Sequence, residues 1–188
     1  MKTTLLTGIS GYIGLHCAKQ LLEAGYTVRG TVRSQAKAQE VRETLVSASV
    51  DISSLTLVEL DLTSDRGWND AADGRAYVIH VASPFVIANP QTPKDTNLPA
   101  VYRTLRALRA AKKAGVKRVV LTSSIVSMMG SMKTGTFGPG DWTDVNAPDV
   151  STYFKSKTLA EKAAWEFIKN QDSESPLELT VINPGGVF

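Results

Sequence analysis

The hydrophobic pattern of this 188-residue chain switches repeatedly between short β-rich runs and longer segments with helical spacing. The β-rich runs cover residues 3–6, 26–32, 55–60, 77–81, 116–122 and 177–182, and the helical segments cover residues 11–24, 34–47, 95–114 and 152–169. Such alternation is typical of β-α-β units, which build a parallel sheet with helices on both faces. We therefore predict an α/β fold with a doubly wound parallel sheet, the Rossmann fold.

Two segments break the alternation. Residues 127–150 are rich in Gly, Met and Pro and lack periodicity, so we predict a long functional or mobile loop there. Residues 183–188 contain an Asn-Pro-Gly-Gly turn and end the chain. With 43% hydrophobic and 21% charged residues, the composition is that of an ordinary globular protein. We expect residues 1–188 to form a single domain.

Charge and cysteine content exclude several classes of function. The formal charge is +3, and Lys and Arg are mostly scattered, so nucleic-acid binding gains little support. The single Cys17 cannot form an internal disulfide, and we expect it to pack as a small apolar residue. No basic leader with an apolar run and no membrane-length apolar stretch is present, which predicts a cytoplasmic protein without a membrane partner. No His, Cys or carboxylate cluster suggests a metal site.

A glycine-rich loop joins the first predicted strand to the first predicted helix. Backbone N–H groups and the positive end of a helix dipole at this position can hold a pyrophosphate. We expect Gly8 to permit a tight turn, Gly11 to let phosphates approach the backbone, and Gly14 to allow close packing of helix and strand. The predicted dinucleotide loop spans residues 8–14 and includes Gly8, Ser10, Gly11, Tyr12, Ile13 and Gly14.

The end of the second predicted strand indicates which dinucleotide would bind. Sites that prefer NAD place a carboxylate there to accept from the ribose 2′-hydroxyl, but this chain has no acidic residue between Glu23 and Glu40. It has Arg33 at the strand end, and we predict that Arg33, with Lys37 as a weaker second candidate, binds the 2′-phosphate of NADP. A solvated arginine at a strand edge is the alternative. Asp61, just past the third strand, suits an acceptor for the adenine amino group or a turn residue.

Tyr153 and Lys157 are four residues apart and share one face of a predicted helix. An adjacent ammonium and a bound nicotinamide would lower the tyrosine pKa and make it a proton-transfer group. The competing interpretation is a surface pair between Lys157 and Glu161. Ser124 follows a buried-type strand at the carboxyl edge where ligands of such sheets bind, and we prefer it to Ser123 as a hydrogen-bond donor to a substrate carbonyl. We expect His80 to be a satisfied core or edge histidine.

These residues resemble the extended short-chain dehydrogenase/reductase family, and within it the dihydroflavonol reductase, cinnamoyl-CoA reductase and aldehyde (methylglyoxal) reductase group. The resemblance covers essentially the whole chain and rests on residues 7–14, 30–33, 61–62, 80–84, 121–124, 153–165 and 183–185. It implies a monomeric or homodimeric oxidoreductase that uses NADPH to reduce an aldehyde or ketone, a small-molecule substrate.

The resemblance also implies a role for individual residues. Ser124, Tyr153 and Lys157 would form the catalytic triad, and Tyr153 would give a proton to the carbonyl oxygen. Leu62 would join Asp61 on the adenine side. The nicotinamide half would lie against Val81, Ala82 and Ser83, and its carboxamide against Pro184, Gly185 and Val187. Phe85 and the methionines Met128, Met129 and Met132 would line a pocket for an apolar or aromatic substrate.

The chain departs from the family in two places. Glu40 lies near the position of the relatives' second phosphate contact, which weakens the assignment of Lys37. Relatives continue past the Pro-Gly turn into a C-terminal substrate lobe, which we expect to be absent here. Two alternatives stay open: a nucleotide-sugar epimerase or dehydratase, against which Arg33 argues, and a non-catalytic NADP-sensing module.

Overall fold

The computed structural model describes residues 2–82, 94–130, 134–172 and 174–186, with the side chains of residues 94–98 left aside. Six strands form one sheet, in which every pairing is parallel and the spatial order is β3-β2-β1-β4-β5-β6. The strands are β1 (Thr3–Thr7), β2 (Thr27–Val32), β3 (Leu55–Glu59), β4 (Tyr77–His80), β5 (Arg118–Thr122) and β6 (Glu178–Ile182). This order confirms the predicted doubly wound sheet.

The helices connect the strands as predicted, with two additions. The predicted helices are α1 (Tyr12–Glu23), α2 (Gln35–Ser47), α4 (Lys94–Lys113) and α5 (Thr152–Lys169). The side chain of Ser34 caps α2 by accepting from the Lys37 N–H, as predicted. The sequence analysis missed the short helix α3 (Trp68–Ala72) and a 3₁₀ turn at Ile125–Ser127, because neither is long enough to show a period.

Apolar side chains pack on both faces of the sheet. Leu5 and Leu6 are adjacent in β1 and fully buried, but they belong to different clusters, because alternate strand residues point to opposite faces. One cluster includes residues of α1 and α2, and the other includes residues of α3, α4 and α5. The strand ends are thereby left as the edge at which a site can form.

The predicted loop after β5 has its own anchor. Thr143 is 1% exposed, and its hydroxyl donates to the Val126 carbonyl at 2.6 Å and accepts from the Gly130 N–H at 2.7 Å. Its backbone N–H donates to the Ser127 carbonyl at 2.8 Å. The loop is therefore tied to the 3₁₀ turn that follows β5. Across the described part of the chain, no helix combines the length and apolar character needed to span a bilayer.

Candidate functional site

A cleft of about 460 Å³ lies at the carboxyl edge of the sheet, where β1, β2, β3 and β4 end. Most of its lining comes from the loops that follow these strands, and one further side chain comes from α4. The lining residues are Gly8, Ser10, Gly11, Thr31, Val32, Arg33, Leu60, Asp61, Leu62, Thr63, Val81, Ala82 and Arg103. We call the region of Gly8–Gly14, Arg33, Asp61 and Arg103 the nucleotide end of the site.

The three glycines of the first loop differ in what restricts them. Gly8 has φ 72°, and a Cβ there would lie 2.8 Å from the Ala82 Cα, so both conformation and space require glycine. A Cβ on Gly14 would lie 2.2 Å from the Gly8 carbonyl oxygen, so Gly14 packs against the loop itself. A Cβ on Gly11 would meet only the Gly8 oxygen, at 3.5 Å. The fold therefore has room for a side chain at Gly11. A ligand bound in the cleft would collide with that side chain.

The N-terminus of α1 faces this loop. Gly11 is its N-cap, no side chain caps it, and its first turn carries no acidic residue. The positive end of the helix dipole is thus left for an anion. Tyr12 is 62% exposed, and Tyr12 and Ile13 lie on the first turn outside the cleft lining.

The structure separates the three basic residues that follow the glycine loop. Arg33 is exposed and lines the cleft. Arg29 donates through one guanidinium nitrogen to three carbonyls at the end of α3, at 2.7, 3.0 and 3.1 Å, which is a structural role. Lys37 pairs with Glu40 at 2.5 Å and does not line the cleft. The geometry therefore favours Arg33 over Lys37 as the phosphate contact.

Asp61 is exposed at the cleft, where its carboxylate is held in one orientation. One carboxylate oxygen accepts from the Thr63 N–H at 2.8 Å, and both accept from the Thr63 hydroxyl at 2.8 Å. These hydrogen bonds are the main cause of the lowered pKa of Asp61, to which Arg103 and Arg106 add a smaller contribution. Asp61 is thus an ionised acceptor at the end of β3, next to Leu62.

Arg103 is a residue of this cleft that sequence reasoning missed. It lies on α4, 42 positions after Asp61, and no local pattern marks it out. Burial lowers its pKa, and the charge of Asp61 opposes that effect. The neighbouring Arg106 holds the same loop by donating to the Leu62 carbonyl at 3.3 Å and to the carboxylate of Asp65. The arginines that line the cleft are therefore Arg33, which follows β2, and Arg103, which lies on α4.

The second part of the site lies at the end of β5 and on α5, and we call Ser124, Tyr153 and Lys157 the proton-transfer end. Lys157 Nζ is 5.9 Å from the centroid of the Tyr153 ring. Burial raises the pKa of Tyr153 above its ordinary value, while a hydrogen bond with the Ser124 hydroxyl acts in the opposite direction. We expected the Lys157 ammonium, together with a bound nicotinamide, to lower this pKa; in the protein alone, burial is the largest effect and raises it.

Lys157 itself is partly buried, and this burial lowers its pKa to about 8. His80 at the end of β4 is 3% exposed, and its Nδ1 lies 2.7 Å from the Thr7 hydroxyl. Burial first, and then the charge of Lys157, lower the pKa of His80 to about 4, so the ring is neutral at pH 7. His80 is the satisfied core histidine that the sequence predicted. His80 is near enough to Lys157 to be affected by its charge, and the next two residues, Val81 and Ala82, line the cleft. The end of β4 therefore lies between the proton-transfer end and the cleft.

The two serines after β5 have different surroundings. Ser123 is 8% exposed, and its hydroxyl donates to Glu161 at 2.5 Å, whereas the Ser124 hydroxyl hydrogen-bonds Tyr153. This arrangement favours Ser124, the serine we preferred, as the one that faces a substrate. Glu161 is 5% exposed and bonded to Ser123, so the surface pair between Lys157 and Glu161 is not what the structure shows.

The turn after β6 lies beside Ser124. The Pro184 carbonyl accepts from the Ile125 N–H at 2.9 Å, and Gly185 follows it on the surface. Met128 and Met129 are partly exposed just beyond the 3₁₀ turn. The predicted contacts Ser83 and Val187 and the predicted pocket residues Phe85 and Met132 lie outside the described residues. Over the described ranges, no group of three or more His, Cys, Asp or Glu could hold a metal ion.

A parallel sheet of this order, with a glycine loop after β1 and a cleft at its carboxyl edge, defines the class of doubly wound dinucleotide-binding folds. The chain belongs to the NAD dependent epimerase/dehydratase family, whose model matches residues 4–186. This match and the relatives below confirm the resemblance to extended short-chain dehydrogenases/reductases.

Two sequence relatives and one solved structure show the level of similarity. A putative NADPH-dependent methylglyoxal reductase of Candida albicans is 33% identical over 201 residues, which is 99% of this chain and 58% of the relative. A dihydroflavonol 4-reductase of Hordeum vulgare is 34% identical over 187 residues, or 96% of this chain and 51% of the relative. The crystal structure of Gre2 with NADPH from Candida albicans superposes with a TM-score of 0.83 at 30% identity, covering 98% of this chain and 58% of that one. The chain thus spans just over half the length of these relatives.

Proposed function

We propose that residues 1–188 form the NADP-binding domain of a reductase that transfers hydride to an aldehyde or ketone. The observation that carries the proposal is the hydrogen bond between Ser124 and Tyr153, with Lys157 beside the tyrosine ring, next to a cleft that contains Arg33. Similarity to a putative NADPH-dependent methylglyoxal reductase and to a dihydroflavonol 4-reductase supports the same class of reaction. This chain matches just over half of each relative, so the unmatched part of the relatives is long enough to hold a substrate lobe.

The nucleotide end fits NADPH in three respects. The uncapped N-terminus of α1 suits the pyrophosphate, and the space over Gly11 lets phosphates approach the backbone. Arg33 suits the 2′-phosphate, because a guanidinium and a phosphate form charge-assisted hydrogen bonds. Asp61 suits the adenine amino group, since its ionised carboxylate is fixed by Thr63 and open to the cleft. We assign Arg103, which lines the same cleft and interacts with the charge of Asp61, to the adenosine half as well.

At the proton-transfer end, each side chain has a separate task. The Tyr153 hydroxyl donates a proton to the carbonyl oxygen of the substrate, and the Ser124 hydroxyl holds that oxygen in place. The Lys157 ammonium stabilises the phenolate that Tyr153 becomes, since an adjacent positive charge favours the ionised form. NADPH, when bound, supplies the hydride that the carbonyl carbon receives.

Two other functions remain as alternatives to the reductase. An epimerase or dehydratase acting on a nucleotide sugar would use NAD, and a solved structure with UDP-glucose and NAD is 26% identical with a TM-score of 0.69. Arg33 in place of an acidic residue argues against NAD. A non-catalytic NADP sensor would need neither Tyr153 nor Lys157. We also place the protein in the cytoplasm, since its single cysteine cannot form an internal disulfide.

The test is NADPH oxidation with methylglyoxal and benzaldehyde as substrates, measured for residues 1–188 and for any longer form of the protein that carries a substrate lobe. Activity with NAD and UDP-glucose is measured in a separate assay. We expect carbonyl-dependent oxidation of NADPH that Tyr153→Phe lowers by about 10²- to 10⁴-fold, with NADPH affinity changed by no more than about twofold. The matched control is Tyr102→Phe, an exposed tyrosine on α4, which should behave as the parent. Equal activity of the two variants, or conversion of UDP-glucose only, would contradict the proposal.

A further inference from the structure

Glu161 is a buried carboxylate whose hydrogen bonds lead to the proton-transfer end. It lies on α5 and is 5% exposed. One of its carboxylate oxygens accepts from the Ser123 hydroxyl at 2.5 Å and from the Asn183 side-chain amide at 2.8 Å, and the other lies 3.4 Å from the Trp165 ring nitrogen. None of the ion pairs found in the described ranges includes Glu161.

The direction of these hydrogen bonds follows from the groups available. Ser123 has one hydroxyl proton, and it goes to Glu161. The contact of 3.1 Å between the Ser123 and Ser127 hydroxyls is therefore a bond in which Ser127 donates. Glu161 is thus an acceptor that sets the orientation of its donors.

The same network fixes the backbone on both sides of Ser124. The Asn183 amide donates to the Ser124 carbonyl at 3.1 Å as well as to Glu161. The preceding residue, Ser123, is held by Glu161 through its side chain and by the Ile182 carbonyl through its N–H at 2.8 Å. The backbone of Ser124 can therefore move only if Glu161, Ser123 and Asn183 rearrange together.

We propose that Glu161 is a positioning residue, which acts through Ser123 and Asn183 to keep the Ser124 hydroxyl directed at Tyr153. This inference rests on the proposed function of Ser124 and Tyr153. Glu161 forms none of the ion pairs found among the described residues, and its burial is matched instead by hydrogen bonds from Ser123 and Asn183. Through these hydrogen bonds, Glu161 connects three segments of the site: the end of β5, helix α5 and the turn after β6.

The first test compares two substitutions that differ in what they keep. Glu161→Gln retains a carbonyl oxygen that can accept from both Ser123 and Asn183, whereas Glu161→Leu removes the acceptor. With methylglyoxal and NADPH, we expect Glu161→Leu to lower kcat about 10- to 100-fold and Glu161→Gln about threefold or less, with little change in NADPH affinity. Glu166→Gln, an exposed position on the same helix, is the matched control and should equal the parent.

A double-mutant cycle separates positioning from a general structural effect. If Glu161 acts through Ser124, then Glu161→Leu combined with Ser124→Ala is no slower than Ser124→Ala alone. Losses that multiply, or parent-like kcat in Glu161→Leu, would overturn the proposal. If Glu161→Leu fails to fold, Ser123→Ala removes the hydrogen bond between Ser123 and Glu161 with a smaller change. Ser123→Ala should also lower kcat, and it can replace Glu161→Leu in the double-mutant cycle with Ser124→Ala.

A second measurement needs no turnover, so it separates failure of this inference from failure of the proposed function. Carbon-13 NMR of ring-labelled tyrosine follows ionisation of Tyr153, whose signal is identified by its loss in Tyr153→Phe. The hydrogen bond from Ser124 lowers the Tyr153 pKa. We expect that pKa to rise by about 0.5 or more in both Ser124→Ala and Glu161→Leu and to stay unchanged in Glu161→Gln. A shift in Ser124→Ala without one in Glu161→Leu would overturn the proposal, whether or not the chain reduces a carbonyl.

Discussion

At the nucleotide end of the site, Arg33 and Asp61 are exposed side chains on separate loops, whereas at the proton-transfer end Ser124, Tyr153 and Lys157 are partly buried and lie against one another. Arg33 and Asp61 line the cleft from the surface, and among the described residues the hydrogen bonds to the Asp61 carboxylate come from Thr63. Glu161, by contrast, is 5% exposed and joins three segments of the chain. The first arrangement suits a charged ligand that brings its own binding energy, and the second suits a reaction that needs fixed geometry.

The difference has an energetic consequence. Exposed charges carry little desolvation penalty, so Arg33 and Asp61 cost the fold little. Lys157, by contrast, is a charged group that the fold takes partly out of water, and its burial opposes stability. We expect substitutions at the two ends to differ accordingly: those at the proton-transfer end change both stability and chemistry, and those at the nucleotide end change mainly affinity.

The largest expected effect on stability is at Lys157. Burial lowers its pKa from 10.5 to about 8, so at pH 7 the folded chain bears the full cost of an ammonium held partly out of water. Lys157→Met should therefore raise the free energy of unfolding at pH 7 by about 2 to 3 kcal/mol while abolishing carbonyl reduction. Urea denaturation at pH 7 measures the gain.

The pH dependence of that gain has a definite sign. Between pH 8 and about 10.5 the unfolded chain keeps the Lys157 proton while the folded chain loses it, so the stability of the parent rises with pH. The advantage of Lys157→Met should shrink to roughly half near pH 9.5. Lys162→Met, an exposed position on α5, is the control and should show no such trend. If the stability gained by Lys157→Met stays constant between pH 7 and about pH 10, burial of a charged Lys157 is not its cause.

The fold and the nucleotide end were largely predictable because their signals are local. Each strand is a short apolar run, Ser34 stands before α2 as a cap, and the glycines follow β1 directly. The conformation of Gly8 and the close packing of Gly14 agree with the turn and packing that the spacing predicted, although Gly14 meets the loop and not the strand. Within the described ranges, the missed elements are the short helix α3 and the 3₁₀ turn, which are too short to show a hydrophobic period.

The residues that sequence reasoning could not find are those placed by tertiary contacts. Arg103 enters the cleft from α4, and Asn183 meets Glu161 from 22 positions away. The sequence around Tyr153 and Lys157 could not show whether Glu161 pairs with Lys157 on the surface or faces the interior. Only the packing of α5 against the 3₁₀ turn after β5 shows that Glu161 faces inward, toward Ser123.

The next prediction concerns affinity at the nucleotide end. Arg33→Ala should lower NADPH affinity about tenfold to a hundredfold, the equivalent of one or two charge-assisted hydrogen bonds, and leave NADH affinity unchanged. Lys37→Ala should change NADPH affinity by less than about twofold, because Lys37 is paired with Glu40 away from the cleft. Fluorescence titration with each nucleotide measures both. A larger loss in Lys37→Ala than in Arg33→Ala would show that the phosphate lies toward α2 instead.

Two glycines of one loop test whether affinity and stability separate within the nucleotide end itself, and the smallest expected change in stability is at Gly11. Gly14→Ala forces a Cβ to 2.2 Å from the Gly8 oxygen and should lower the free energy of unfolding by about 1 to 3 kcal/mol. Gly11→Ala meets nothing closer than 3.5 Å, so its melting temperature should stay near that of the parent while NADPH binding weakens. Melting curves with and without NADPH measure both effects. Equal destabilisation by the two variants would mean that the fold, and not a phosphate, requires glycine at position 11.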